Sequence, residues 1–279
     1  MATEEYHYGR LDDIQKRAYR EFFMPWFTSG ITADDDERIM EGRWASDITL
    51  DDVEAALTAV LLDHPEIVSV RNVRSYEGLA FSIRPSEDGP VMSFHDGIHD
   101  VSYAYSAEDK KKIEGRIAEW SAEELEALAG LDDHDKIVMM AKRFSEEFVY
   151  LETAKSHGME GLNTGRMVCE GLAKAFKILC DRLGIWCIIV RGKGRMNDMM
   201  VSHVWNIVRL GKEYYHVDPT WAITSSTVRA SPILQGKVFS YSYLFTCDDD
   251  MSGHHEENGE YPACKDRSLE YYRSRGWTI

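Results

Sequence analysis

Val53, Ala56, Leu57, Val60 and Leu61 recur at the three- and four-residue spacing that lines one face of a helix. The run predicts a helix that begins after Thr49 and stops at His64-Pro65. Thr49 with Asp52 three residues on is a variant of the capping box, because hydroxyl and carboxylate can each take a first-turn N–H. The period then changes. Around Ile67–Arg74 and Leu79–Arg84 apolar residues alternate, with Glu77-Gly78 between them, which predicts a hairpin. Helical spacing returns with Ser121 and Glu124, read as a second capping box. Ile137, Met140, Ala141, Phe144 and Phe148 then fall on one face of a further helix.

Past residue 160 the rhythm is helix, strand, strand, strand. Leu172, Ala175, Phe176, Leu179 and Leu183 line a helix that starts near Cys169 and ends at Gly184, a residue free to take the left-handed closing conformation. Trp186–Arg191 reads as a short buried strand and Gly192–Met200 as a flexible connection. Val201–Arg209 and Lys212–Val217 form two strands about a Leu210-Gly211 turn. This order predicts an α+β domain in which a helix packs on an antiparallel sheet.

Composition changes the picture in one respect. The 279 residues are 44% hydrophobic and 29% charged, as expected of a folded chain, and no apolar run approaches the length of a membrane span. The formal charge is −16, and it is uneven: residues 1–135 hold 31 acidic and 13 basic side chains, residues 136–279 hold 17 and 19. Two modules are therefore expected, an acidic and mainly helical region over 1–135 and a near-neutral domain over 136–279. So much negative charge disfavours nucleic acid and anionic membranes as partners. The first thirty residues lack the basic start and apolar stretch of a secretory signal, so no export address is read. A cytoplasmic protein, or a cell-surface one whose leader has been removed, both fit.

Candidate chemistry lies in the second module. With the turn centred on Leu210-Gly211, His203 faces Asp218, close enough for an imidazole to bond a carboxylate. Cys169 falls at the first turn of its helix, where the positive end of the dipole and unpaired N–H groups favour a thiolate. The stretches Leu162–Phe176, Leu183-Gly184-Ile185, Ser202–Val208 and Tyr214–Trp221 resemble the transglutaminase-like superfamily in its bacterial branch. Tyr243–Thr246, Cys247–Met251, His254 and Tyr261–Cys264 resemble the tail of that branch. Asp63–Glu66 resembles its N-terminal helical region more distantly. Leu172 departs from the pattern, since many relatives have an aromatic residue there.

The resemblance implies a papain-like, transglutaminase-like core preceded by a helical region, with Cys169, His203 and Asp218 as a catalytic triad. It implies thiol-dependent acyl transfer on protein or peptide amides, as a cysteine peptidase or amidase or as a protein transamidase. The alternative is a catalytically silent peptide-binding or scaffolding module on the same fold. Asn163, Gly165, Trp205 and Trp221 are candidates for the oxyanion or substrate site, Trp221 also reading as ordinary aromatic packing. Arylamine N-acetyltransferases carry a similar triad, but with an Arg-Gly-Gly signature absent here. No cofactor or metal is expected. His95–Asp100 and Asp248–Asp250 with His254-His255 lack metal-ligand spacing and read as solvated loops. Cys180 and Cys187 read as core thiols, and Cys247 with Cys264 as a pair that an oxidising compartment could join.

Overall fold

Thr49 caps its helix as the sequence predicts: its Oγ1 accepts from the Asp52 N–H at 3.3 Å, and Asp52 Oδ2 accepts from the Thr49 N–H at 2.9 Å. The computed structural model describes residues 5–28, 39–43, 48–68, 79–84, 91–96, 107–151, 158–196, 199–224 and 240–276. The chain divides into two compact units at residues 117 and 118.

The first unit holds α1 (Tyr6–Gly9), α2 (Asp13–Arg17), a π-helical turn (Ala18–Phe23), α3 (Met24–Thr28), β1 (Ile39–Arg43), α4 (Leu50–Asp63), β2 (Leu79–Arg84) and β3 (Val91–Asp96). Its core joins Ala18, Tyr19 and Phe23 to Val53, Ala56, Leu57 and Val60 of α4, the apolar face read from the sequence. The buried Asp63 accepts from the His7 and Tyr8 N–H groups and from the Tyr19 hydroxyl, which ties the end of α4 to α1. The strands form an antiparallel sheet ordered β1-β3-β2. The strand read at 79–84 is β2, and it pairs with β3; most of the segment expected to pair with it, 69–74, lies outside the described residues.

The helix α5 (Ala107–Ala127) runs across the division between the units. Ser121 and Glu124 lie inside it, so the capping box expected there does not form: Ser121 Oγ donates to the Ala118 carbonyl, and Glu124 takes both arms of Arg143 at 2.6 Å. Then follows α6 (Asp133–Glu147), which buries Ile137, Met140, Ala141 and Phe144 completely. Next come β4 (Val149–Tyr150), α7 (Gly161–Thr164), β5 (Arg166–Met167), α8 (Cys169–Leu183), β6 (Trp186–Met196), β7 (Met199–Leu210) and β8 (Glu213–Val217). The chain closes with α9 (Pro219–Thr224), β9 (Leu244–Thr246), α10 (Asp248–Met251), β10 (His255–Glu257) and α11 (Leu269–Ser274). Five strands form an antiparallel sheet ordered β10-β6-β7-β8-β9, while β4 and β5 pair in parallel. This is an α+β unit, with the helix and sheet order the sequence predicts.

Helix α8 runs from Cys169 to Leu183, and Gly184 closes it at φ +72°. Its apolar face (Leu172, Ala175, Phe176 and Leu179) is fully buried, so the departure at Leu172 is a core packing position. Asn206 of β7 donates to the Ala173 carbonyl, and Lys177 of the helix donates to the Cys187 carbonyl on β6, which fixes the helix against both strands. Among the described residues, no helix is long and apolar enough to cross a membrane.

Two expectations are corrected here. Residues 192–200 were expected to be a flexible connection, but 192–196 and 199–200 extend β6 and β7. Glycine is depleted in strands for want of side-chain packing, and Gly192 and Gly194 are retained for a tertiary reason. A Cβ on Gly192 would lie 2.1 Å from the Glu256 carbonyl oxygen and 2.8 Å from Trp205, and one on Gly194 would lie 3.1 Å from the His203 ring. The second correction is the register. Leu210 pairs with Glu213 and Asn206 with Val217, so the turn is Gly211-Lys212. Gly211 takes φ +64°, the value a two-residue turn with glycine first requires.

Candidate active site

The two-residue error in register preserves strand alternation, because side chains repeat every second residue. His203 therefore keeps the same face and meets Asp218 diagonally. A diagonal neighbour in an antiparallel pair is about 7–8 Å away, a gap a long side chain can close. His203 Nε2 lies 2.8 Å from Asp218 Oδ2. The carboxylate only accepts, so Nε2 carries the hydrogen and Nδ1 is left for the thiol.

Asp218 owes its place to the helix after it. It is followed by Pro219 at the first helical position, where a missing N–H costs nothing, and Asp218 acts as the cap. Its Oδ1 accepts from the Trp221 N–H at 3.0 Å, and its carbonyl accepts from the Ala222 N–H. Oδ2 is thereby turned toward the sheet. Capping and orienting the imidazole are done by different oxygens of one carboxylate.

Cys169 is the first residue of α8 and is half-buried. Its thiol is within hydrogen-bonding reach of the His203 imidazole, so the three residues read from the sequence converge. Burial alone would drive His203 toward its neutral form. The charge and hydrogen bond of Asp218, together with Cys169, prevail and push its pKa up to about 10. Burial would likewise raise the Asp218 carboxyl, but His203 and His255 hold it well below the usual carboxylate range. The arrangement favours an imidazolium at His203, bonded to the Asp218 carboxylate and beside the Cys169 sulfur.

The four candidates for the oxyanion or substrate site fall differently. Asn163 is exposed on α7. Gly165 adopts φ +65°, and its carbonyl accepts from the Val149 N–H, so its role is to hold β4 beside the turn before Cys169. Trp205 is fully buried, stacks on His203 at 5.7 Å and spends its indole N–H on His216 Nδ1 at 3.0 Å. It is a support beneath the imidazole and has no face for substrate. Trp221 lies at the rim, 6.0 Å from the His203 ring and 4.5 Å from the ring of His255.

His255 is the residue that the solvated-loop reading missed. It is 5% exposed and its Nε2 lies 3.1 Å from Asp218 Oδ2, the same oxygen that His203 uses. Its pairing opposite Gly194 explains the reach: the absent side chain on β6 clears the face between the two imidazoles, whose rings are 5.3 Å apart. His254 Nδ1 completes the chain, 2.7 Å from His255 Nδ1. Such a contact is made by strand pairing across the chain, and no local pattern announces it. Tyr150 was missed as well. Its hydroxyl is in hydrogen-bonding reach of the Cys169 thiol, and burial together with the charge of Cys169 keeps the phenol protonated far above its ordinary range. An aromatic just after a helix carries no signal of this in the sequence.

Among the described residues, two groups of side chains have the ligand types for a metal, with their ligand atoms within 4.8 Å of one another: His203 with Asp218 and His255, and His216 with Asp248 and Cys264. In the first, both imidazoles already donate to the carboxylate. In the second, the indole N–H can only donate, so His216 carries its hydrogen on Nε2, which bonds Asp248 at 2.9 Å. That tautomer presents no lone pair to an ion, and burial keeps His216 neutral by lowering its pKa. Asp248 is thus anchored rather than loosely solvated. Of His95–Asp100, residues 95 and 96 end β3 and the rest lie outside the described residues. All five cysteines are free thiols, Cys247 and Cys264 included.

No protein-family model and no curated protein sequence matches the chain. Among solved structures, similarity is found to a TGase (TM-score 0.37, 13% identity, 73% of this chain and 56% of that one). It is also found to a candidate cysteine protease from Cytophaga hutchinsonii (TM-score 0.33, 10% identity, 55% and 69%). A third is the periplasmic domain of TgpA from Pseudomonas aeruginosa (TM-score 0.32, 14% identity, 55% and 69%). The chain thus spans little more than half the length of the first of these, and at such TM-scores the functional argument rests on the geometry of Cys169, His203 and Asp218.

Proposed function

We propose that the protein is a thiol-dependent acyl-transfer enzyme acting on protein or peptide amides. The observation that carries this reading is the single line from the Cys169 thiol through His203 to Oδ2 of the buried Asp218. In the reaction, the Cys169 sulfur attacks the amide carbonyl, and its backbone N–H, at the first turn of α8, supports the oxyanion. His203 then delivers its proton to the leaving nitrogen, and the C–N bond breaks. Asp218 holds the imidazole in the required tautomer and stabilises its charged form. Water resolves the acyl-enzyme in a peptidase or amidase, and a primary amine does so in a transamidase.

Exposure to p-nitrophenyl acetate tests this. One acetyl group is expected on Cys169 by peptide mass mapping, and none after Cys169→Ala. Faster release of that group by a primary amine than by water alone marks a transamidase; equal release marks a hydrolase. Acetylation at another residue that persists in Cys169→Ala would contradict the proposal.

A further inference from the structure

Three donors around His203 and Cys169 are candidates for the second half of an oxyanion hole, beside the Cys169 N–H. The indole of Trp205 is buried and committed to His216. The Trp221 backbone N–H is committed to Asp218. The hydroxyl of Tyr150 differs in that its partners are the thiol and the backbone N–H of Cys169 itself. The β4–β5 pairing sets Tyr150 opposite Met167, two residues before Cys169, and the bond from the Val149 N–H to the Gly165 carbonyl locks that register. The hydroxyl reaches the thiol, and the residue as a whole is 38% exposed, unlike the fully buried Trp205.

We infer that Tyr150 is a catalytic residue that supplies the side-chain hydrogen bond to the oxyanion in the acyl transfer proposed above, an inference that rests on that reading. Before substrate arrives, the phenol donates to the sulfur and its oxygen accepts from the Cys169 backbone N–H, so the two donors sit side by side. As the S–C bond forms, the carbonyl π pair moves onto oxygen, and that oxygen takes hydrogen bonds from the Tyr150 hydroxyl and the Cys169 backbone N–H. When the pair returns, the C–N bond breaks and the nitrogen leaves with the proton from His203. The hydroxyl keeps its own proton throughout. Burial and the neighbouring charges of Cys169 and Asp218 oppose ionisation of the phenol, which leaves it a donor across the working pH range.

The test compares two reactions of the same sulfur. Acylation by p-nitrophenyl acetate passes through an oxyanion, whereas alkylation by iodoacetamide does not. In Tyr150→Phe, acylation is expected to slow by about 10²–10³-fold, the usual cost of one oxyanion donor, while alkylation stays within about threefold of wild type. The unchanged alkylation also reports that the site has folded. An equal fall in both rates, the mark of a structural role, overturns the inference, as does acylation at the wild-type rate. A wild-type protein whose Cys169 reacts with neither reagent overturns the acyl-transfer reading itself and takes this inference with it.

Discussion

Replacing His203 by alanine is expected to lower amide turnover by on the order of 10⁴-fold or more, because one imidazole both raises the thiolate fraction and protonates the leaving nitrogen. The same change should destabilise the fold. It strips the buried Asp218 carboxylate of its charged partner, a loss of about 3–5 kcal/mol for a buried pair, moderated here by the Trp221 and His255 N–H groups that remain. The pH dependence has a fixed sign. His203 is held protonated up to about 10 in the folded protein, against an ordinary value of about 6.5. Its contribution to stability is therefore complete below about pH 6.5 and is lost as the pH rises through about 10. Urea unfolding of wild type and His203→Ala should show the widest gap in midpoint near pH 6 and a narrowing gap toward pH 10. A gap that widens with pH would mean that His203 is buried neutral.

Asp218 should prove the costliest position in the site, since one side chain caps a helix and orients an imidazole. Asp218→Ala removes the bond to the Trp221 N–H, worth about 1–2 kcal/mol at a helix cap. It also leaves an imidazolium buried without its anion. Wild type should hold this advantage above about pH 4 and lose it as acid protonates the carboxyl, because the folded value lies well below the unfolded one. Asp218→Asn separates the two tasks. With its oxygen turned to Trp221 the cap survives, but the amide NH₂ then faces two imidazole N–H groups. His203 relieves the clash by moving its proton to Nδ1, where it can no longer accept from the thiol. A wrong tautomer of this kind costs on the order of 10⁴ in kcat. The expected pattern is a stability for Asn above that of Ala, since the cap is kept, but below wild type, since the imidazolium loses its anion, with activity as low as that of Ala, measured by thermal unfolding and amide turnover. Activity preserved in Asn would show that Asp218 does not set the tautomer.

What the sequence disclosed and what it hid follow a physical division. Thr49 with Asp52, and the helix from Cys169 to Gly184, were legible because caps and apolar faces are written within a few residues of one another. Locality also misleads: Ser121 and Glu124 have the capping pattern, yet they sit inside α5, which runs from Ala107 through Gly115 and past them. The facing of His203 and Asp218 was legible only in parity, since the glycine marks a turn without saying on which side of it the turn is centred. The roles of Gly192 and Gly194 depend on the β10 backbone and the His203 ring approaching from elsewhere in the chain. His255 and Tyr150 reach the site through strand pairings that only the assembled sheets define.

The pairing of thiol with imidazole is the centre of this account, and the rate of Cys169 alkylation by iodoacetamide against pH measures it most directly. Beside an imidazolium, the thiol should react at nearly its full rate well below the pH of about 8.5 at which an ordinary cysteine ionises, and His203→Ala should abolish that low-pH reactivity. A rate that climbs only around pH 8.5, and climbs identically in His203→Ala, would contradict the account.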